Sequence, residues 1–373
     1  MKKFIPVNEP IITERARELV LECLDNGWIS SEGPFVAQFE EAFSRRVHRK
    51  HGIACANGSA ALEIAVATLK LGPGDEVILP TFTIISCAAP IVRAGAKPVV
   101  VDCDPQTWNM DPRHVEAAVT PRTTAIMLVH IYGLPVNMDP ILAIAERHGL
   151  AVIEDAAETI GQTYKGNPCG SFGHISTFSF YPNKHITTGE GGMVVLNDPQ
   201  LADRCRSLRN LCFQPKRRFV HEELGWNLRM SNIQAALGLG QLEQLDDFLG
   251  KKRQIGQLYN QFLLNTPGLQ LPLAQTDYAE NVYWVYGMLL KDEVGMDADE
   301  AMNRLAEDGI GTRPFFWPMH EQPVFREMGL FDGVQCPVAE HLARRGFYVP
   351  SGLALQNDQI EVVSYAVKRL ANQ

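Results

Sequence analysis

The sequence predicts an α/β fold class, with a large domain around a mostly parallel sheet and a small α+β domain at the C-terminal end. Between Ala54 and about Asn197, helical patterns alternate with short apolar runs, which is typical of βαβ units. Several of these runs are apolar throughout, which indicates strands covered on both faces. After residue 231 the pattern changes to one long helix followed by short mixed elements.

The candidate strands of the large domain also locate the candidate site. They are EVILP (76–80), PVVVDCD (98–104), AIMLVHIYG (125–133), AVIEDAA (151–157), STFSF (176–180) and GMVVLND (192–198). In such sheets the ligand lies beyond the carboxyl ends of the strands. Residues just after these runs, in 81–86, 155–158 and 179–192, are therefore the candidates.

The C-terminal part begins with a helical pattern over 231–264. Pro267 and Gly268 end it, because proline cannot continue the hydrogen-bond ladder. A strand at about 283–290 and helices at about 297–308 and 357–370 follow. We expect a large domain of residues 1–250 and a small domain of residues 251–373, joined by the long helix.

The charge balance argues against a nucleic-acid partner. The 373 residues carry a formal net charge of -9, whereas a polyanion-binding surface needs clustered Lys and Arg. The short basic run Lys216–Arg217–Arg218 favours a solvated loop over a phosphate patch.

Neither a membrane anchor nor a metal site is predicted. No run of about 18 apolar residues occurs, so we expect a cytoplasmic protein without a membrane partner. The eight cysteines form no C-x-x-C pair and no cluster with histidine at ligand spacing, so we expect reduced, buried thiols.

The motif NGSAAL, 57–62, opens a helix predicted to reach about Leu71. Backbone N–H groups at a helix start, with Ser59 beside them and Gly58 permitting close approach, can hold a phosphate. Asn57 and Ser59 are also ordinary N-cap residues, so the motif alone leaves both interpretations open.

The motif VIEDAAETIG, 152–161, places Asp155 at the end of an apolar strand and Glu158 shortly after it. A carboxylate buried there needs a partner. An arginine or helix N-terminus would be a structural partner, and a protonated ring nitrogen of a cofactor a functional one.

The stretch SFYPNKHITTGEGG, 179–192, offers Lys184 and His185 next to a glycine-rich turn. A lysine nucleophile must be partly desolvated to shed its proton, which a strand end in a cleft allows. The alternative is a surface lysine, the usual fate of this residue type. His185 fits a packing role better than a catalytic one.

The motif GWNLRMSNIQAA, 225–236, sets Asn227 and Arg229 before a helix capped by Ser231. An amide and a guanidinium there could clamp a phosphate of this chain or of a neighbouring subunit, although Arg229 could equally bridge to a carboxylate. Together, the four motifs follow the order that pyridoxal 5'-phosphate (PLP) requires, with a phosphate cradle, an aspartate, a lysine and a second clamp.

Over nearly its whole length the chain resembles the DegT/DnrJ/StrS family of PLP-dependent sugar aminotransferases. The matching segments are GWISSEGPFVAQFE (27–40), CANGSAALEIA, GPGDEVILPTFT, VIEDAAETIGQTYKG, GSFGHISTFSFYPNKHITTGEGGMV, GWNLRMSNIQAALGLGQL and RPFFWPMHEQP. The resemblance implies PLP-dependent transferase fold type I (aspartate-aminotransferase-like), with a mostly parallel seven-stranded sheet in the large domain.

The resemblance also implies roles for single residues. Lys184 would bond covalently to the cofactor and Asp155 would pair with its pyridine nitrogen, while Glu158 lies near its 3-hydroxyl. The phosphate positions match Gly58, Ser59 and Ser179, with Asn227 reaching the phosphate from the other subunit of a homodimer or dimer of dimers. Ile84 stands where relatives commonly have an aromatic residue over the ring, with Phe82 as the alternative. Trp28, Ile29, Ser30, Arg313 and His320 fall in segments that line the sugar-nucleotide cleft.

The implied reaction is transamination of a nucleotide-linked 4-keto-6-deoxy sugar, with L-glutamate as donor, for surface polysaccharide biosynthesis. The segments SFYPNK, LGWNLRM and RPFFWPMH most resemble enzymes that aminate C4 of GDP-4-keto-6-deoxy-D-mannose. The alternatives are a dTDP- or UDP-linked substrate, a sugar 3-dehydratase and a non-catalytic regulator. Dehydratase relatives have histidine in place of the lysine, and here the lysine is present.

Overall fold

The computed structural model describes residues 4–214 and 216–371, and its large domain is centred on a seven-stranded sheet. The strands of this part are β1 (His51–Cys55), β2 (Glu76–Pro80), β3 (Lys97–Val101), β4 (Thr123–Val129), β5 (Ala151–Asp155), β6 (Thr163–Tyr164), β7 (Asn167–Pro168), β8 (Ile175–Ser179) and β9 (Gly192–Leu196). The sheet order is β1-β9-β8-β5-β4-β2-β3, while β6 and β7 pair separately. Only β9 runs antiparallel to its neighbours, which confirms the mostly parallel sheet.

Helices cover both faces of this sheet. They are α1 (Glu14–Asn26), α2 (Pro34–Arg46), α3 (Gly58–Thr68), α4 (Ile85–Arg93), α5 (Pro112–Ala118), α6 (Met138–His148), α7 (Pro199–Arg209), α8 (Asn232–Leu242) and α9 (Leu245–Leu263). In β4, Met127 packs into a core shared with α3 and α4, whereas Ile126 and Leu128 pack into a core with α6. Burial on both faces explains why these strands are apolar throughout.

The smaller C-terminal domain contains a four-stranded sheet and further helices. Its elements are β10 (Leu269–Gln270), β11 (Tyr286–Leu290), α10 (Ala298–Glu307), β12 (Arg313–Pro314), a 3-10 turn (Met319–Glu321), α11 (Pro323–Glu327), α12 (Pro337–Arg345), β13 (Gly346–Val349) and α13 (Asn357–Ala371). Its core joins Tyr259 of α9, Met288, Phe347 and Val367, and the N-terminal Ile5 also packs there. The division at residue 250 stays a prediction.

Two predicted elements differ from the structure. The helix expected over 231–264 is two helices, α8 and α9, because α8 packs against α1 and α2 whereas α9 packs against α13. Gln244, at the break, has non-helical backbone angles, and Asp246 and Asp247 lie in the first turn of α9, where the helix dipole favours negative charge. The helix opened by NGSAAL ends at Thr68, three residues before the predicted Leu71.

The edge strand β1 was not among the predicted strands. It covers only five residues, His51–Cys55, directly before the NGSAAL motif. β1 and β8 both pair antiparallel with β9, so the carboxyl ends of β1 and β8 flank Gly192 at the start of β9. This pairing brings the phosphate motif to the same edge of the sheet as Ser179.

All eight cysteines are buried and form no disulfide, as the sequence predicts. Among the described residues, no helix is both long enough and apolar enough to span a membrane. The basic run 216–218 lies on the surface, and the Arg218 guanidinium stacks over the rings of Phe213 and Phe219.

Candidate active site

The candidate site is a cavity of about 490 Å³ at the carboxyl ends of the central strands. Asn57 follows β1, Val129 ends β4, Asp155 ends β5 and Ser179 ends β8, and all four line the cavity. The cavity therefore lies where the sheet topology predicts a ligand. It brings together Gly58, Ser59, Ile84, Asp155, Glu158, Ser179 and Lys184.

The first wall of the cavity is the start of α3. Asn57 caps the helix, since its side-chain oxygen accepts a hydrogen bond from the Ala60 N–H at 2.8 Å. A Cβ atom on Gly58 would lie 2.7 Å from the Cβ of Ser179, so only glycine lets these two segments approach. The Ser59 hydroxyl is 2.8 Å from that of Ser86. Hydroxyls and helix-start N–H groups together form an anion-binding corner.

Asp155 forms the floor of the cavity, and its carboxylate is almost fully buried. It accepts hydrogen bonds from the Ala157 N–H at 3.0 Å and from the Cys87 thiol at 3.3 Å. Burial raises the pKa of Asp155, although these bonds and Lys184 act in the opposite direction. A buried carboxylate held so weakly by the protein suits a cationic partner from a ligand.

The preceding residue, Glu154, shows what a structural carboxylate looks like. It accepts bonds from the Gly170 N–H at 2.5 Å, the Gly173 N–H at 3.1 Å and the Ser176 hydroxyl at 2.8 Å. Burial alone would raise its pKa, but the bonds from His130 and the glycine amides lower the pKa to about 2. Glu154 is therefore satisfied inside the protein, whereas Asp155 faces the cavity.

Lys184 and Glu158 meet above this floor. The Lys184 Nζ lies 4.0 Å from a Glu158 carboxylate oxygen, and the other oxygen accepts a 2.8 Å bond from the Tyr132 N–H. Burial lowers the pKa of Lys184, while Glu158 and Asp155 oppose that shift. Burial also raises the pKa of Glu158 to about 8. A lysine with a lowered pKa in a cleft matches the requirement for an amine nucleophile.

The opposite wall was not foreseen from the sequence. It consists of Trp284 before β11, Phe316 after β12 and Tyr348 on β13. The Lys184 Nζ lies only 3.6 Å from the centre of the Trp284 ring. These aromatic residues reach the cavity from a different domain, so no local motif around Lys184 could reveal them.

Ile84 and Phe82, the two residues predicted as alternatives over the cofactor ring, lie in different environments. Ile84 lines the cavity and is 47% exposed, whereas Phe82 is fully buried in a cluster with Tyr132, Phe315 and Phe316. Phe82 therefore does not cover the site, and Ile84 is the residue available to do so. His185 is buried as expected, and its pKa lies well below the usual value, chiefly because of burial.

Some predicted site residues lie outside the cavity of their own chain. Asn227 is exposed and pairs through a backbone bridge with Asn210. Trp28, Ile29 and Ser30 are exposed on a segment that Asn232 holds by bonds to Trp28 O and Ser30 O. Arg313 lines an adjoining cavity of about 240 Å³, which shares Tyr181, Asn183 and Tyr348 with the main one.

His320 does not line the cavity, and its contact with the sugar nucleotide stays a prediction. His320 is buried, its Nδ1 lies 2.8 Å from the Thr81 hydroxyl, and its Nε2 lies 3.0 Å from a Glu340 carboxylate oxygen. Both ring nitrogens are thus engaged within the chain. His320 joins the segment after β2 to α12 and does not face the cavity.

The residues of the cavity fit PLP. Within the described ranges, the Thr177 hydroxyl and the Asn183 side-chain oxygen are buried without a hydrogen-bond partner, and both residues line the cavity. Unsatisfied buried groups of this kind are expected where a polar ligand binds. The corner at Gly58 suits a phosphate and the Asp155 carboxylate suits a pyridinium nitrogen.

A family match covers almost the whole chain. The model of the DegT/DnrJ/EryC1/StrS aminotransferase family matches residues 10–368. The chain belongs to this family. It is 42% identical over 358 residues to a GDP-perosamine synthase of Escherichia coli O157:H7, covering 96% of each chain. It is also 42% identical over 366 residues to a GDP-perosamine synthase of Caulobacter vibrioides, covering 98% of each chain.

A solved structure shows the same fold. DesV of S. venezuelae superposes with a TM-score of 0.92 and is 32% identical, covering 100% of this chain and 99% of its own. The predicted fold type, enzyme class and cofactor are confirmed: the protein is a PLP-dependent sugar aminotransferase. Its substrates are a nucleotide sugar and an amino donor.

Proposed function

We propose that the enzyme transfers the amino group of L-glutamate to C4 of GDP-4-keto-6-deoxy-D-mannose, forming GDP-perosamine for O-antigen or other surface polysaccharide synthesis. The observation that carries the chemistry is the desolvated Lys184 amine between the Glu158 carboxylate and the Trp284 ring, above Asp155. The substrate rests on the two relatives at 42% identity that are named GDP-perosamine synthase.

The phosphate of PLP would occupy the corner at the start of α3. Gly58 and Ser59 offer N–H groups and a hydroxyl there, and Ser179 lies against Gly58. Asp155 would hold the ring nitrogen in its protonated form, because a charge pair relieves the cost of burying the carboxylate. Glu158 would lie near the 3-hydroxyl, and Ile84 would cover one face of the ring and exclude water from it.

Lys184 would act as nucleophile and as proton carrier. When bound, PLP supplies a conjugated ring that accepts the electrons released at the donor's α-carbon. The Lys184 amine would hold the cofactor, would be freed by the amino donor and would then take the proton from the donor's α-carbon. Its burial favours the neutral amine needed for that step. In the second half-reaction the same group delivers a proton to the sugar carbon.

A homodimer, or a dimer of dimers, is part of the proposal. Asn227 is exposed and lies two residues before Arg229, which pairs with Cys55 next to the phosphate corner. A second copy on this surface would bring its own Asn227 and its 28–30 segment toward a neighbouring cavity. The large exposed side chains nearby support such a contact, with Leu224 90% and Phe219 80% exposed.

The sugar nucleotide would extend from the main cavity into the adjoining one. Arg313 is the cationic residue that lines this second cavity, next to Tyr181 and Tyr348. A guanidinium is well suited to a diphosphate, because its planar donors form paired bonds with phosphate oxygens. A cytoplasmic site of action stays a prediction.

The proposal is tested by incubating the purified enzyme with PLP, L-glutamate and a panel of GDP-, dTDP- and UDP-linked 4-keto-6-deoxy sugars. Mass spectrometry and NMR of the products give the transferred group and its position. We expect amination at C4 of the GDP-linked sugar. Turnover only of a dTDP- or UDP-linked sugar would contradict the substrate assignment.

The same experiment separates the two remaining alternatives. A sugar 3-dehydratase would yield a product without the C3 hydroxyl, and a non-catalytic regulator would yield none. Lys184 disfavours the dehydratase, because it occupies the position that is histidine in dehydratase relatives. Buried His185, one residue later, does not line the cavity and cannot take its place.

A further inference from the structure

Two side chains lie close to the Lys184 amine, the aromatic ring of Trp284 and the carboxylate of Glu158. The ammonium nitrogen is 3.6 Å from the centre of the Trp284 ring and 4.0 Å from the nearest Glu158 oxygen. A cation within about 6 Å of an indole face is attracted by the negative face of the ring. Trp284 therefore interacts with the group to which the proposed function assigns the proton transfers.

The Trp284 side chain is also held from several directions. Its indole N–H donates a 2.8 Å hydrogen bond to the carbonyl of Asn183, the residue before Lys184. Its backbone carbonyl accepts a 2.8 Å bond from the buried Lys252 ammonium. Its ring packs 5.9 Å from that of Tyr132, and only 5% of the residue is exposed. The orientation of the ring is thus set independently of Lys184.

The backbone of Trp284 passes closely over a glycine. A Cβ atom on Gly133 would lie 2.6 Å from the Trp284 N atom, and Gly133 has a φ of +97°. This close approach seats the segment before β11 against the turn that follows β4. The indole consequently forms a fixed wall of the cavity.

We propose that Trp284 is the positioning residue for Lys184: its ring face holds the ε-ammonium while the amine is not bonded to the cofactor, and its N–H anchors the peptide before Lys184. This inference rests on the proposed function. A lysine that leaves the cofactor and returns to it once per full cycle needs a resting place within reach.

Variants at Trp284 separate the ring face from the N–H group. W284F keeps an aromatic face and loses the N–H, whereas W284L loses both. W317F and W317L are the matched controls, because Trp317 lies outside the cavity, is 45% exposed and has the Arg344 guanidinium 5.0 Å above its ring. Each variant is prepared without cofactor, and its folding is checked by thermal unfolding.

The measurement is the rate at which added PLP forms a borohydride-stable adduct on Lys184, as a function of pH. The titratable groups around the amine are Glu158, Asp155, Cys87, Tyr181, Tyr348, Glu190 and His185, and all are unchanged in the variants. Because the neutral amine is the reactive form, the rate rises through its pKa. Without the ring the ammonium loses a stabilising contact, so the midpoint for W284L should fall by about one pH unit. W284F should shift by less than half as much.

Three results would overturn the inference or the proposal beneath it. A W284L midpoint equal to that of the wild type would show that the ring does not hold the amine. If W284L is folded, a W284F midpoint shifted as far as that of W284L would also show that the ring does not hold the amine. If W284L does not fold, a shift of about one pH unit in W284F alone would show this. Failure of the wild type to form the adduct at Lys184 would instead contradict the proposed function itself.

Discussion

At the residue scale, two adjacent carboxylates illustrate how environment divides structure from chemistry. Glu154 and Asp155 end the same strand and are both buried. Five donors, from His130, Ser176 and the amides of residues 170, 172 and 173, surround Glu154. Two donors reach Asp155, whose pKa is raised by burial. The protein completes the first site and leaves the second for the cofactor.

Substitution by the amide should therefore lower activity at Asp155 and stability at Glu154. D155N removes the partner of the ring nitrogen, and we expect kcat to fall by about 100-fold or more with little change in the unfolding midpoint. E154Q removes a charge that five donors surround, and we expect a loss of about 2–4 kcal/mol in stability. The activity per folded E154Q molecule should stay within a few-fold of wild type. Equal kinetic losses in both variants would contradict this division.

The close approach at Gly58 makes a second prediction. In G58A the new Cβ would lie 2.7 Å from the Cβ of Ser179, so the phosphate corner must open. We expect PLP affinity to fall by about tenfold or more, in line with overpacking costs of about 1–3 kcal/mol. Equilibrium dialysis measures this affinity. The control is G250A, since a Cβ there meets nothing within 4 Å, and it should bind PLP like the wild type.

At the scale of elements, α9 connects the cavity wall to the C-terminal domain through Lys252. Its ammonium is buried and donates to the carbonyls of Trp284, at 2.8 Å, and Ser351, at 2.5 Å. Burial lowers the pKa of Lys252 to about 7. The residue thus joins the helix to the segment before β11, which lines the main cavity, and to the segment after β13, which lines the adjoining one.

This lowered pKa makes stability depend on pH in a defined direction. Between pH 7 and 10.5 the unfolded chain protonates Lys252 whereas the folded chain does not, so raising the pH favours the folded state. Relative to K252M, the wild type should gain up to about 1.4 kcal/mol per pH unit across this window. Urea unfolding of both proteins at several pH values measures the difference. A constant difference across the window would contradict the assigned pKa.

At the scale of the whole molecule, exposed apolar side chains mark the surface on which we propose that a second copy binds. Leu224 and Phe219 are almost fully exposed in the 211–227 loop, and Trp28 and Ile29 are half-exposed on the segment held by Asn232. Large exposed apolar side chains that gather into one patch are typical of contact surfaces. We expect the wild-type chain in solution to have about twice the monomer mass of 41.4 kDa.

The variant L224E should weaken the dimer without unfolding the chain. A charge at a position that is 90% exposed in the monomer costs the isolated fold little, but it would be buried in the contact. Light scattering should show a shift toward the monomer, together with lower activity at low protein concentration. V362E is the control, because Val362 is 54% exposed on α13, far along the chain from the loop. An active monomeric wild type would contradict the proposal.

The sequence was informative where one strand and its following turn supply a site residue. Gly58, Asp155, Ser179 and Lys184 were predicted in this way, and all line the cavity. Trp284, Phe316 and Tyr348 were missed because they arrive from the C-terminal domain. The sugar-nucleotide contact predicted for His320 stays a prediction, since its side chain binds Thr81 and Glu340 within this chain. The direction in which a side chain points depends on tertiary packing, which a short sequence motif does not predict.

Peptide mapping after borohydride reduction of the PLP-loaded enzyme shows whether Lys184 carries the chemistry. We expect the cofactor on the peptide that contains Lys184 and none on K184A, and we expect prior addition of L-glutamate to remove the label from the wild type. Lys252 is the internal comparison, since it is also buried with a lowered pKa but is hydrogen-bonded to two carbonyls. Label on Lys252, or on no lysine, would show that Lys184 does not hold the cofactor.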